Sequence, residues 1–249
     1  MIREFPGVTL HRGDCLDVMR SIEAGSVDAV VTDPPYCAGS VSEASRTGAK
    51  GQGLRSQTLT RFGWFVGDNM GTAGITWLLR SIAVEAVRVL KPSGSLLVFC
   101  DWRMYSALQP AIESAGLRTQ GLIVWDKGSM GLGCGFRTQH ELVMHFTNGH
   151  PEYHDTSTGN VIKSSRVNHQ VREHQTQKPV DLVERLVRVV CPSGGTVLDP
   201  FIGSGTTALA AINTGRNCIG IERDSGYFDI ACRRVTEALD KTALLNPIA

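Results

Sequence analysis

"TVLDPFIGSGTTALAA", residues 196–211, reads as a short buried strand, a tight turn and the opening of a helix. Gly203 and Gly205 let the backbone bend sharply and admit a ligand where a Cβ would otherwise stand. Thr206 and Thr207 fall at the helix start, where the first amides have no partner within the helix itself. A G-x-G alone is common in loops. Here the next apolar strand, "NCIGIE" (217–222), ends in Glu222, at the separation from which an acid reaches the hydroxyls of a bound ribose.

The full dinucleotide pattern wants a third glycine, which this turn lacks. No G-x-x-x-x-G-K-[ST] occurs in the chain, which argues against triphosphate hydrolysis. Asp199, just before the turn, suits an ammonium group better than a pyrophosphate. A ligand with both a ribose and an amino-acid tail meets both conditions, and S-adenosylmethionine is such a ligand.

Outward from this unit, strand-like and helix-like segments alternate. Short β-branched runs occur at 27–33, 95–101, 121–127 and 141–146, and helical apolar spacing at 76–90, 179–190 and 225–239. Buried strands separated by helices predict an α/β protein, a mostly parallel sheet with helices on both faces. The length of 249 residues suits one such domain, and a net charge of +1 leaves any attraction to phosphate to local patches. Seven scattered cysteines without C-x-x-C spacing argue against a disulfide framework or a zinc ribbon and suit a reducing cytoplasm. With no signal peptide and no membrane-spanning apolar run, a soluble cytoplasmic protein is expected.

A second unit is "VVTDPPYCAG" (30–39), where a β-branched run ends in a carboxylate, two prolines and an aromatic ring. Asp33 precedes a proline and is pushed into an extended conformation. Pro34 and Pro35 each fix φ and offer no N–H. The Asp33 carboxylate and the Pro34 carbonyl thus form a rigid pair of acceptors, with Tyr36 beside them as a flat surface. An exocyclic amino group of a nucleobase has two protons and a lone pair delocalised into the ring. Two acceptors can hold both protons and free that lone pair for attack on an electrophilic methyl. Tyr36 can stack on a base that has left its helix.

Taken together, "TDPPY" (32–36), "LDPFIGSGTT" (198–207) and "GIERD" (220–224) resemble the DNA amino-methyltransferases that modify adenine N6 or cytosine N4. With the tetrapeptide first and the glycine turn late, the order is that of the permuted β-type. "HRGDCLDVM" (11–19), "GFRTQHELVMHF" (135–146) and "TQKPVDLVERLV" (176–187) extend the resemblance over about residues 8–237. It implies a Rossmann-like S-adenosylmethionine-dependent methyltransferase fold with a seven-stranded sheet. It also implies a single domain over 1–249: a catalytic half at about 8–146, a target-recognition insert at about 147–175 and a cofactor-binding half at about 176–240. The catalytic residues would be Asp33, Pro34, Pro35 and Tyr36. The cofactor would be lined by Asp14, Cys15, Asp33, Lys178, Asp199, Phe201, Gly203, Ser204, Gly205, Thr206, Thr207 and Glu222. Aspartate at position 33, where cytosine-N4 enzymes more often carry serine, favours adenine N6, with cytosine N4 and a non-catalytic DNA-binding paralogue as alternatives. Restriction-modification is the setting the resemblance implies.

Two polar tracts interrupt the alternation, each read as following the carboxyl end of a strand, where open α/β sheets place ligands. Residues 37–63 carry Arg46, Lys50, Arg55 and Arg61 among glycines and serines, a basic loop suited to the phosphates of double-stranded DNA. Residues 147–178 hold Arg166, Asn168, Gln170 and Arg172, side chains able to read base edges. This tract is short for recognition, which a brief target sequence, the basic loop or a homodimer would offset. His150, His154, His169 and His174 fit no zinc spacing, and no metal is expected. Cytosine-C5 chemistry needs a thiolate, normally from Pro-Cys; Cys191-Pro192 has the reverse order.

Overall fold

Apolar strand segments pair side by side because each is buried on both faces, so its backbone groups must be satisfied within the sheet. The computed structural model describes residues 1–35, 70–131, 134–167 and 177–245. Tyr36, Arg46, Lys50, Arg55, Arg61, Asn168, Gln170 and Arg172 lie outside the described residues. The strands are β1 (Ile2–Phe5), β2 (Val8–Arg12), β3 (Val27–Thr32), β4 (Leu90–Cys100), β5 (Arg118–Asp126), β6 (His140–Thr147), β7 (Val161–Lys163), β8 (Thr196–Asp199) and β9 (Asn217–Glu222). They form one sheet in the order β1-β2-β9-β8-β3-β4-β6-β5-β7.

From β2 through β9, β8 and β3 to β4 every pairing is parallel. β6 runs antiparallel between β4 and β5, β7 pairs parallel with β5, and β1 pairs antiparallel with β2. The expected seven strands are therefore nine among the described residues. The two additions are edge strands that carry little apolar signal. β1 is exposed along most of its length, and β7 has three residues with one buried side chain.

Six helices cover the sheet: α1 (Cys15–Ser21), α2 (Thr72–Val89), α3 (Tyr105–Glu113), α4 (Val180–Val190), α5 (Thr206–Thr214) and α6 (Ser225–Leu245), counted among the described residues. Alternation along β4 sorts them. Leu96, Val98 and Cys100 share a core with Met19 of α1, Ile82 of α2 and Leu108 of α3. Leu97 and Phe99 face the other way, into a core with Leu182, Leu186 and Val190 of α4 and Ala210 of α5. A third cluster joins β2 and α5 to Phe228, Ala231 and Val235 of α6. None of the helices described is long and apolar enough to cross a membrane.

After β8 the chain passes through α5 to β9 on one side; after β3 it reaches α2 and then β4 on the other. The strand order thus reverses between β8 and β3, the switch point at whose carboxyl ends open α/β sheets form their ligand crevice. The antiparallel run of β6 has a further consequence. Its carboxyl end, Thr147, pairs with Ser95, the first residue of β4 to pair with β6, so residues 148–160 leave from the amino edge of the sheet, contrary to expectation. They are tied there by the Asn148 amide to the Gly94 carbonyl (2.9 Å) and the His154 amide to the Val189 carbonyl (2.9 Å). β7 carries the chain back, so only the residues after Lys163 rejoin the carboxyl edge.

Candidate active site

The glycine turn lies at the crevice and is built as its sequence suggests. Gly203 (φ +51°) and Gly205 (φ +88°) take left-handed conformations, and a Cβ on Gly205 would stand 3.2 Å from the Ala231 Cα of α6. Ser204 is buried and held by Arg234, whose Nη1 donates to its carbonyl (2.6 Å) and its hydroxyl (3.0 Å). Thr206 and Thr207, both buried, open α5, whose N-cap Gly205 makes no side-chain capping bond. Phe201 packs its ring against the core on the α2 side.

Asp199 is nearly inaccessible and accepts three hydrogen bonds: from the Thr32 hydroxyl (2.8 Å), the Phe201 amide (3.0 Å) and the Thr207 hydroxyl (2.6 Å). Burial nonetheless pushes its pKa up to about 6. Glu222 accepts from the Gly203 amide (3.0 Å) and the Asp224 amide (2.8 Å), and burial raises its pKa as well. The Gly13 amide donates to the Glu222 carbonyl (2.9 Å), which brings Asp14 beside this strand end. There the Asp14 carboxylate caps α1 through the Leu16 amide (3.0 Å), and Cys15 is buried.

One buried and one half-buried carboxylate, whose described partners are neutral amides and hydroxyls, make a crevice short of positive charge. A ligand carrying a sulfonium, an ammonium and a ribose diol fits this donor and acceptor set. A carboxylate has about four lone-pair sites, so both acids retain accepting capacity.

On the other side of the switch point, Thr32 joins the two halves: its hydroxyl bonds Asp199 and its neighbour in sequence is Asp33. Lys178 Nζ donates to Asp33 Oδ2 (2.6 Å) and pairs with Glu141 Oε2 (3.2 Å). Lys127 Nζ pairs in turn with Glu141 Oε1. Lys178 is buried, with its ammonium 5.1 Å from the centre of the Phe99 ring. Burial works against the Lys178 charge, but Asp33 and Glu141 outweigh it and raise its pKa. For Lys127 burial wins and the pKa falls.

The structure therefore brings together Asp33, Pro34, Lys178, Asp199, the glycine turn, Glu222 and Asp14 at one edge. Lys178, assigned to the cofactor by resemblance, contacts Asp33. Arg166 is exposed at the same edge, its guanidinium 3.8 Å from where a Cβ on Gly131 would stand. Sequence reasoning missed Thr32, Lys127, Glu141 and Arg234. A signal existed for Glu141, a charged residue opening an otherwise buried strand. The exposed Met130 and Phe136, which also lie beyond a strand at this edge, had none.

Burial pushes the thiols of Cys15, Cys100 and Cys191 up to about 12, which works against thiolate chemistry at these three positions. Among the same residues no group of His, Cys, Asp and Glu could hold a metal ion.

Known proteins resemble the chain along most of its length. It is 26% identical over 251 residues to the type II methyltransferase M2.LlaDCHI of Lactococcus lactis subsp. cremoris, covering 92% of this chain and 89% of that protein. The M1.HpyAVI–SAM complex superposes with a TM-score of 0.68 at 22% identity, covering 92% and 98% of the two chains. The PvuII DNA methyltransferase (cytosine-N4-specific) does so with a TM-score of 0.71 at 18% identity, covering 97% and 96%. At such identities these two structures bear on the fold. Residues 27–233 match the N6_N4_Mtase family, described as DNA methylase, and the chain belongs to that family.

Proposed function

We propose that the protein transfers a methyl group from S-adenosylmethionine to adenine N6 in double-stranded DNA, on a base turned out of the duplex. The observation that carries this is the 2.8 Å bond from Thr32 to Asp199, which fixes the Asp33-Pro34 acceptor pair against the glycine turn. Asp33 and the Pro34 carbonyl receive the two amino protons, holding the nitrogen and freeing its lone pair. S-adenosylmethionine supplies an electrophilic methyl, whose bond to sulfur breaks as the bond to nitrogen forms, leaving a neutral thioether. The proton then shed by the nitrogen passes to Asp33. Glu222 takes the ribose hydroxyls, while Asp199, Asp14, Cys15, Phe201 and residues 203–207 shape the rest of the cofactor site. Tyr36 stacks on the base. Positioning and preset charge supply the rate enhancement, without a covalent enzyme intermediate.

Arg166 and the exposed Met130 and Phe136 give the carboxyl edge a basic and apolar surface for DNA. The basic residues of 37–63, and Asn168, Gln170 and Arg172 of the insert, would extend it. A cytoplasmic setting follows from a DNA substrate and a coenzyme of central metabolism.

Incubation with labelled cofactor and unmodified DNA, then digestion to nucleosides, tests the proposal. N6-methyladenine is expected, and Asp33→Ala should abolish it. Aspartate at position 33 favours adenine. The fold likeness to an enzyme described as cytosine-N4-specific keeps N4-methylcytosine as the second reading, and labelled N4-methylcytosine would establish it. An inert wild-type protein that still binds DNA would point to a non-catalytic paralogue.

A further inference from the structure

Between the acceptor pair and the outer edge of the sheet runs an alternating row of charges: Asp33, Lys178, Glu141, Lys127. Its links are the 2.6 Å and 3.2 Å contacts of Lys178 and the Lys127–Glu141 pair. The four residues come from four places in the fold: the end of β3, the turn before α4, the start of β6 and the end of β5. Neither the glycine turn nor a plain structural need explains why a buried ammonium should be inserted between two carboxylates at this spot. Helix α4 is already started by Pro179 as its N-cap.

We propose that Lys178 is a positioning residue for methyl transfer, which acts on Asp33 and not on the cofactor, and that Glu141, anchored by Lys127, sets the strength of its hold. The proposal rests on the amino-methyltransferase reading above.

With Lys178 donating to Oδ2, a proton on Asp33 would sit on Oδ1 and present a donor to the amino group, so Oδ1 accepts there only while the carboxylate is ionised. Three negative groups crowd this corner, since Asp199 and Glu141 both stand near Asp33. Like charges drive one member of such a group to protonate. Lys178 prevents this, and its bond to Oδ2 also fixes the carboxylate, directing Oδ1 by the planarity of the group. Glu141 divides the ammonium between two partners and so moderates its pull. An undivided ammonium would bind Asp33 more tightly and make it a weaker acceptor. Charged groups facing Asp33 among the described residues include Lys178, Glu141 beyond it, Asp199 across the Thr32 bond, and at greater distance Lys127 and Arg166.

The two inner links of the row predict shifts of opposite sign. Lys178→Met should raise the Asp33 carboxyl pKa by about one unit or more, a tenfold change. The acid limb of the methyl-transfer pH profile should then move up by the same amount, with activity on that limb down about tenfold at a given pH and recovering as pH rises. Glu141→Gln should lower the same pKa. Lys178→Arg, which keeps the charge, should keep the acid limb of the pH profile near that of the wild type. Carbon-13 NMR of labelled aspartate, with the Asp33 resonance assigned through Asp33→Asn, reads the titration in each full-length variant. Single-turnover rates across pH read the consequence, and calorimetry checks that cofactor affinity stays within about twofold. A purely structural role for the row would move both variants the same way, or leave the Asp33 titration where it was, and either result overturns the proposal. If Lys178→Met fails to fold, the sign of the Glu141→Gln shift decides. Should the wild type transfer no methyl group, the amino-methyltransferase reading fails, while the NMR titration still judges the charge row.

Discussion

The two sides of the crevice hold their carboxylates by different means. On the β8 side, Asp199 and Glu222 are held by hydroxyls and backbone amides, and burial pushes both pKa values up. On the β3 side, Asp33 is held by an ammonium, and that ammonium is held by a second carboxylate. Neutral donors leave negative charge for a cationic ligand to satisfy. An ion pair leaves the local charge balanced, suiting a neutral base that brings only N–H groups. One wall is thus prepared for a charge and the other for a pair of hydrogen bonds.

The largest break in this contrast is Asp33→Ala, which removes the acceptor and leaves Lys178 buried beside Glu141. Single-turnover methyl transfer should fall by about a thousandfold or more, in the range seen when preset electrostatic groups are removed. Cofactor affinity should change far less, because the neutral-donor wall is untouched. Loss of cofactor binding on the same scale would mean that the two walls are not separable.

Next comes the acid–base character of the β8 wall. The folded-state pKa of Asp199 is about 6, against an ordinary value of 3.8. Between these values the folded protein binds more protons than the unfolded chain, so this group's contribution to stability falls as pH rises through the window. The change is on the order of 3 kcal/mol by the usual conversion of a pKa shift. Asp199→Asn keeps the shape and the Thr32 and Phe201 bonds, since the amide oxygen can occupy Oδ1. Denaturant unfolding from pH 4 to pH 6.5 should show the wild type losing stability relative to the variant. Parallel curves would remove the claim that an uncompensated carboxylate sits there. Cofactor at saturating concentration should flatten the wild-type curve, because a cationic ligand supplies what burial withholds.

Gly205→Ala tests the geometry of the same wall without touching its charge. Alanine at φ +88°, with its Cβ 3.2 Å from the Ala231 backbone, should cost about 1–3 kcal/mol in urea unfolding. A neutral result would mean that α6 yields easily and that the turn is less constrained than its packing implies.

This wall was also the more legible one in sequence. Strand, G-x-G turn, helix and distal acid lie within residues 196–222, and local spacing alone places them in order. Most strands and helices were legible for the same reason, through apolar periods of two and 3.6. The edge strands β1 and β7 were not, since one is exposed and the other has three residues. The direction of β6 also escaped, because a buried strand reads alike in either sense, and with it went the placement of residues 148–160. On the β3 wall Asp33 and the prolines could be read, and the resemblance singled out Lys178, though not its contact with Asp33. Glu141, Lys127 and Lys178 lie 108, 94 and 145 residues from Asp33 in the chain, so their meeting depends on sheet order, which no local pattern encodes.

The smallest effect is expected outside both walls, at Arg166, and it separates catalysis from DNA attachment. This residue follows β7, where the chain has returned to the carboxyl edge, and its guanidinium is exposed near Gly131 on the loop between β5 and β6. A side chain that meets a phosphate there contributes through counterion release, so its loss weakens binding to any sequence alike. Arg166→Ala should therefore lower DNA affinity only several-fold and reduce the slope of log affinity against log salt by about one. The single-turnover rate at saturating DNA should be unchanged. If affinity fell for one target sequence and not for others, with the salt slope intact, Arg166 would be reading a base edge. A lowered rate at saturation would instead tie Arg166 to the charge row through Lys127, whose ammonium already feels it.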